Sequence, residues 1–342
     1  MDMQKAGALR TIICDYYRNK RCLVIGGAGF IGSNLVNELV HLSASVSVAD
    51  TFHPDYGANW HNLEKVKGKI FFSYTDLRDE FGTRQLIKDT DVIFDLAAQV
   101  SYTDSMKIPL EDLDVNCRGH LQLLELCRRF NPAVSILFTS SRMVYGNVQS
   151  IPVDEEHPTH PLSLYAVHKL TGEKYFYLYN HFYNLNTRWV RIANPYGPRN
   201  QMRHSKYGIV NWFIRLAMEN QDIKVFGDGN QLRDYIYVDD LVIGLLRVGM
   251  LEKQCPDRCF NLGSSHGTSF SKMVDTIIRV VAQGRKVEVP WPQDYEKNET
   301  GNFVANINRL QKLLGGGYEF TSLEDGIRKT HEFYCMYQKD YF

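Results

Sequence analysis

Residues 26–32 read Gly-Gly-Ala-Gly-Phe-Ile-Gly, between a short apolar run, Arg21–Ile25, and residues 30–42 with helical apolar spacing. Gly26, Gly29 and Gly32 stand one position away from the Gly-x-Gly-x-x-Gly of the usual dinucleotide fingerprint. The physics is shared: a tight strand-to-helix turn, backbone bare enough to approach a pyrophosphate, and a helix N-terminus aimed at it. A second strand over residues 45–49 ends at Asp50, so the turn opens a βαβ unit. Strand patterns recur at 69–74, 91–97, 135–139 and 188–192, with a helix predicted over 110–130. Strands alternating with helices predict an α/β fold, a doubly wound parallel sheet covered on both faces.

From Asn194 onward the texture changes. Glycine, proline and aromatic residues are scattered among shorter elements, as in Asn194-Pro195-Tyr196-Gly197-Pro198 and Phe226-Gly227-Asp228-Gly229-Asn230. These read as loops of a smaller second α/β module. With 342 residues the chain has room for two modules. The expected division is an N-terminal extension over 1–20, a dinucleotide-binding domain over 21–193 and a substrate domain over 194–342, with 236–260 folding back on the first.

Two residue types now acquire chemistry. Asp50 ends the second strand, where an acid accepts hydrogen bonds from adenosine ribose hydroxyls and repels a 2′-phosphate, so NAD is preferred over NADP. Tyr165 precedes Lys169 by four residues within a predicted helix over 164–182. On a helix the two share a face, so an ammonium there can favour the phenolate and let a tyrosine act as a base near neutral pH. A dinucleotide beside such a base suggests hydride chemistry on an alcohol or ketone.

Composition bounds the partners. Lys plus Arg and Asp plus Glu are both 39, which argues against nucleic acid or an anionic membrane. No stretch approaches a membrane span, and charges at Asp2, Lys5, Arg10 and Asp15 interrupt anything like a signal peptide. Seven irregularly spaced cysteines fit a reducing compartment, and the expected location is cytoplasmic. Cys255 and Cys259 form a lone Cys-x-x-x-Cys with no second pair, so no metal is expected.

A resemblance rests on residues 26–32, Asp50, Asp76-Leu77, Leu96-Ala97-Ala98, Asn116, Ser140-Ser141 with Val144-Tyr145-Gly146, Tyr165-Ala166-Val167-His168-Lys169, residues 194–198 and Arg233-Asp234-Tyr235-Ile236-Tyr237-Val238-Asp239-Asp240. In this order the chain, from Arg21 to about Leu314, resembles the extended short-chain dehydrogenase/reductases, and within them the NAD-dependent nucleotide-sugar epimerases and dehydratases. The resemblance implies a Rossmann domain holding NAD through Gly26, Gly29, Phe30, Ile31, Gly32, Asp50, Asp76, Leu77, Leu96, Ala97, Ala98 and Asn116. It implies a C-terminal domain holding a nucleoside-diphosphate sugar.

By the same resemblance Ser141, Tyr165 and Lys169 form the catalytic triad. Tyr165 takes the proton of a sugar hydroxyl, Lys169 binds the nicotinamide ribose and holds the phenol down, and Ser141 bonds the sugar oxygen. Asn194 resembles a diphosphate contact, Arg233 its ionic partner, Val225-Phe226 the segment along the nucleobase, and Glu299 an acid on the substrate ribose. An arginine usual before that acid is missing from residues 291–297.

Related dehydratases follow the catalytic Ser or Thr with acids; here Ser141 is followed by Arg142 and Met143. C4 epimerisation through a transient 4-keto sugar is therefore favoured. A 4,6-dehydratase or decarboxylase, and a non-catalytic NAD-binding sensor or scaffold, remain as alternatives. Arg142 is either solvated or faces the sugar to select an anionic substituent. Helices over 110–130 and 164–182 carry more Leu, Tyr and Phe than one buried stripe needs, which suggests pairing into a homodimer or a cover for the substrate domain.

Overall fold

The computed structural model describes residues 3–53, 56–291 and 299–342. The strands are β1 (Arg21–Ile25), β2 (Ser45–Ala49), β3 (Ile70–Ser73), β4 (Val92–Asp95), β5 (Ser135–Ser141), β6 (Asn186–Ile192), β7 (Asn194–Tyr196), β8 (Asp222–Phe226), β9 (Leu232–Tyr237), β10 (Cys259–Leu262), β11 (Gly267–Ser269) and β12 (Arg285–Val289). Seven of them form one sheet of order β3-β2-β1-β4-β5-β6-β10, every pair parallel. The chain winds outward from β1 in both directions, which leaves a crevice above the C-terminal ends of β1 and β4.

Side chains alternate across this sheet as the pleat requires. Cys22 and Val24 of β1 join the apolar cluster of one face, with the helices Phe30–His41 and Val238–Gly249. Leu23 and Ile25 join that of the other, with Glu80–Ile87, His120–Phe130 and Leu164–Tyr183. Burial on both faces explains why these strands read as apolar runs.

The remaining strands make a three-stranded sheet, β11-β9-β7, and a pair, β12-β8. The helices Ile209–Met218, Phe270–Val281 and Leu323–Tyr341 share a separate apolar cluster with them. Residues beyond 236 return to the first sheet, since helix Val238–Gly249 packs on it and β10 adds its edge strand.

Two elements differ from the sequence reading. The first 20 residues include a helix, Met3–Tyr17, in which Leu9, Ile13 and Tyr17 at four-residue spacing enter the core. The Tyr17 hydroxyl donates to the Leu246 carbonyl at 2.8 Å, tying this helix to Val238–Gly249. The single helix predicted over 110–130 is three pieces: Pro109–Leu113, a π-helical turn Asp114–Gly119, and His120–Phe130. Wide turns of this kind often mark functional positions, and Asn116 sits in this one.

Candidate functional site

A cavity of about 360 Å³ opens over the carboxyl ends of β1, β2, β4 and β5. Gly26, Gly29, Phe30, Ile31, Gly32, Asp50, Asp76, Leu77, Leu96, Ala97, Ala98, Ser141, Tyr165 and Lys169 all line it. The glycines are sterically required. Gly26 has φ +78°, and a Cβ there would stand 3.0 Å from the Ala97 nitrogen. A Cβ on Gly32 would overlap the Gly26 carbonyl oxygen and approach the Gly27 Cα to 2.8 Å. Helix Phe30–His41 starts at Gly29 with no side chain capping its first amides, so an anion can take them.

Asp50 is buried at the end of β2. Its carboxylate accepts from the Ala28 and Phe52 amides, each at 2.9 Å, so it fastens the glycine turn to the second strand. Burial pushes its pKa up, against those amide bonds. A carboxylate has about four acceptor positions, so two are left for ribose hydroxyls. Asp76 takes Arg78 in a fork, at 2.9 and 2.7 Å, and accepts from the Arg78 amide. Against the push of burial, Arg78 holds Asp76 below the usual carboxylate range. Arg78 also lines the cavity; nothing in its sequence context marks it.

Asn116 lies outside the cavity lining. Its Nδ2 donates to the Gln99 carbonyl at 3.0 Å, while its buried Oδ1 has no partner. A bare glycine cradle, a buried acid at the β2 terminus and an orphaned acceptor fit a dinucleotide.

Ser141 ends β5, and Tyr165 and Lys169 project from helix Leu164–Tyr183, which Ser163 caps by accepting from the Ala166 amide. The Ser141 hydroxyl accepts from the Met143 amide at 3.2 Å and stands beside the Tyr165 phenol. Burial pushes that phenol up to about 12; the neighbouring Ser141 hydroxyl works against this and Asp112 adds to it. Burial brings Lys169 down to about 8, resisted by Asp95, Asp112, Cys117 and Glu173. Its ammonium donates to the Thr139 carbonyl at 3.0 Å and lies 4.8 Å from the Phe138 ring centre. The expected lowering of the phenol by Lys169 is thus not found in this structure. The i,i+4 step puts both on one face, but the ammonium turns to β5 instead of the phenol.

Beside Ser141 lies a second cluster. Arg142 donates through Nε to the Asn194 carboxamide oxygen at 3.3 Å and through Nη1 to the Thr300 hydroxyl at 3.0 Å. Its guanidinium lies 5.4 Å from the Phe303 ring centre. Burial brings Arg142 down to about 9, Arg233 adding to the push and Glu299 resisting it. Arg142 is half-buried and hydrogen-bonded to Asn194 and Thr300, so it is not a freely solvated side chain.

Arg233 is buried; it donates to the carbonyls of Leu232 at 2.9 Å and Gly301 at 2.7 Å, and pairs with Glu299. Asn194 donates to the Asp234 carbonyl at 2.9 Å. Phe226 sits 5.6 Å from Trp291, ring to ring. Val225 departs from the expectation. On β8 the inward positions are Ile223 and Val225, so its side chain is core and only its backbone is available to a base. Residues 292–298, which hold most of the stretch lacking the expected arginine, lie outside the described residues. Thr300, which bonds Arg142, is unmarked in the sequence, and Tyr235, though part of a quoted motif, has no role assigned there, because their neighbours come from distant segments.

The model of the family described as NAD dependent epimerase/dehydratase matches residues 22–263. The chain is 33% identical to the putative UDP-glucose 4-epimerase of Methanocaldococcus jannaschii over 309 residues, covering 90% of this chain and 96% of that protein. It is 33% identical to the UDP-glucose 4-epimerase of Mycolicibacterium smegmatis over 317 residues, 92% and 98% of the two chains. The crystal structure of Thermotoga maritima UDP-glucose 4-epimerase with UDP-glucose, 28% identical, superposes with a TM-score of 0.84 over 93% of this chain and 99% of that one.

Proposed function

The chain belongs to the NAD-dependent epimerase/dehydratase family, and we propose that it is a nucleotide-sugar epimerase that inverts C4 through a transient 4-keto sugar. Residues 21–193 hold NAD and residues 194–342 most of the nucleotide-sugar site. Gly26, Gly29 and Gly32 give the pyrophosphate its cradle, Asp50 takes the adenosine ribose, and Lys169 takes the nicotinamide ribose. Bound NAD supplies the acceptor and donor of hydride. Tyr165 removes the C4 hydroxyl proton and later returns it, with Ser141 holding the same oxygen.

The observation that carries the reading is what surrounds this triad. Ser141, Tyr165 and Lys169 share one cavity, and the positions after Ser141 are Arg142 and Met143, neither of which can deprotonate C5. The two acids that could substitute are engaged. Asp104 lies 2.9 Å from the Lys206 ammonium, which holds it below the usual range against the push of burial, and Glu299 pairs with Arg233. The acids lining the cavity, Asp50, Asp76 and Glu111, belong to its other end, the last two in the field of Arg78.

Turnover in D₂O with a panel of UDP-, GDP-, CDP- and dTDP-sugars tests this. An unchanged mass with inverted C4 and no deuterium at C5 is expected. Loss of water, or deuterium at C5 or C3, refutes simple 4-epimerisation.

A homodimer is part of the proposal. Leu110 (77% exposed), Leu113, Val167, Leu178 and Phe182 (68% exposed) leave apolar side chains exposed on Pro109–Leu113 and Leu164–Tyr183, as a paired-helix interface needs. Cytoplasmic residence is supported by seven free cysteines. Among the described residues no helix is long and apolar enough to cross a membrane.

A further inference from the structure

The cluster next to Ser141 carries one positive charge too many. Arg142 and Arg233 bring two guanidiniums into a mostly buried space, and Glu299, paired with Arg233, brings one carboxylate. Asp234 is nearby but spent: it accepts from the Ser264 amide and hydroxyl and from the Ser265 and Ala305 amides. Among the described residues, no carboxylate lies within ion-pair distance of Arg142, whose partners are the neutral oxygens of Asn194 and Thr300. Arg142 is half-buried, and a guanidinium drawn partly out of water without a counter-charge is unfavourable unless an anion meets it.

A second, independent observation lies opposite. The Tyr235 hydroxyl is buried, the residue being 5% exposed, and it has no hydrogen-bond partner. It stands in the field of both Arg142 and Arg233. An unpaired buried hydroxyl is itself unfavourable, and here it offers a donor to whatever the two arginines attract.

Position decides which anion. Arg233 is already tied to two carbonyls and Glu299, whereas Arg142 has five donors and uses two. Arg142 also follows Ser141 directly, the residue that in the proposed reaction bonds the C4 oxygen, so its free donors border the sugar ring. We propose that Arg142 and Tyr235 form a subsite for a carboxylate on the sugar, making the substrate class a nucleoside-diphosphate sugar acid. The inference rests on the nucleotide-sugar reading above and adds its specificity.

The test measures binding before turnover. Calorimetric titration of the NAD-loaded protein with UDP-glucuronate, UDP-glucose and UDP compares a carboxylate, a neutral hydroxymethyl group and no sugar. Wild type should bind the uronate more tightly than the hexose. Arg142→Gln should reduce the ratio of uronate to hexose affinity by ~10²-fold, the scale for breaking a buried charge pair, with the loss falling on the uronate and not on UDP. Tyr235→Phe keeps the ring and should reduce the same ratio by ~10-fold or more, the scale of a hydrogen bond to a charged group, without lowering the melting temperature.

Equal losses for all three ligands would assign Arg142 to the diphosphate and overturn the proposal, as would a wild-type preference for UDP-glucose. A lower melting temperature for Tyr235→Phe with an unchanged ratio would remove Tyr235 from the subsite. Uronate preference without epimerisation would instead sink the reaction reading and leave the subsite standing.

Discussion

Lys169 is 2% exposed and its ammonium titrates at about 8, against 10.5 ordinarily. Replacing it with methionine removes the charge and keeps most of the volume. At pH 7 the native chain carries a buried ammonium that its surroundings disfavour by 2.5 pKa units (10.5 − 8), which is ~3 kcal/mol at 1.36 kcal/mol per unit. Against this, the variant loses the bond to the Thr139 carbonyl, worth ~1 kcal/mol net, and the contact with the Phe138 ring, ~1 kcal/mol. Lys169→Met should therefore be more stable than the native protein at pH 7, by ~1 kcal/mol, while losing turnover.

The pH dependence is the sharper check. Because the folded pKa is depressed, the penalty is fully present below pH 8, fades as pH rises from 8 to 10.5, and is gone above that. Between pH 7 and 10.5 the stability difference should move by ~3 kcal/mol toward the native protein. Urea unfolding of both proteins at half-unit pH steps reads this directly, since other titrations cancel in the difference. A difference that stays flat across this range would show that Lys169 is not held as a desolvated ammonium.

Tyr165→Phe should lower turnover by at least ~10²-fold, the lower end for a general base, with NAD affinity retained; near-normal turnover would remove Tyr165 from the mechanism. Asp50→Asn keeps an acceptor for the glycine turn but removes the charge, so NAD should bind more weakly and its advantage over NADP should narrow, which titration of both cofactors measures. Gly32→Ala forces a Cβ to within 2.8 Å of the Gly27 Cα, so the turn must move. Overpacking of this kind costs ~1–3 kcal/mol and should appear as a lower melting temperature together with weaker NAD binding; an unchanged protein on both counts would contradict the geometry.

The parallel sheet was legible because its central strands β1 and β4 are short, apolar and buried on both faces, and because Gly26 and Gly32 admit no side chain at the first turn. That Tyr165 and Lys169 would line one cavity was legible for a local reason too: they are one helical turn apart. What escaped is nonlocal. The π turn at Asp114–Gly119 arises within a stretch of unbroken helical periodicity, and helix Met3–Tyr17 hides its stripe of Leu9, Ile13 and Tyr17 among charged residues. The direction of the Lys169 ammonium depends on a carbonyl at Thr139, thirty residues away. The resemblance places Val225-Phe226 as one segment along the nucleobase, but strand alternation sends the two side chains to opposite faces.

The two clusters keep their relation through backbone alone. Ser141 pairs with Ile192 in the main sheet, and Asn194 pairs with Tyr235 in the smaller one. Only Ala193 separates Ile192 from Asn194, and its amide donates to the Leu262 carbonyl of β10 at 2.9 Å. Two ladders thus meet across one residue, so Ser141 and Arg142 on one side are registered against Asn194, Arg233 and Tyr235 on the other without any hinge at that point. The consequence is chemical. In the proposed reaction a sugar held by the second cluster would meet Ser141 and Tyr165 at a distance set by hydrogen-bonded strands, the kind of support that lets a reacting hydroxyl be placed within the few tenths of an ångström that proton and hydride transfer demand.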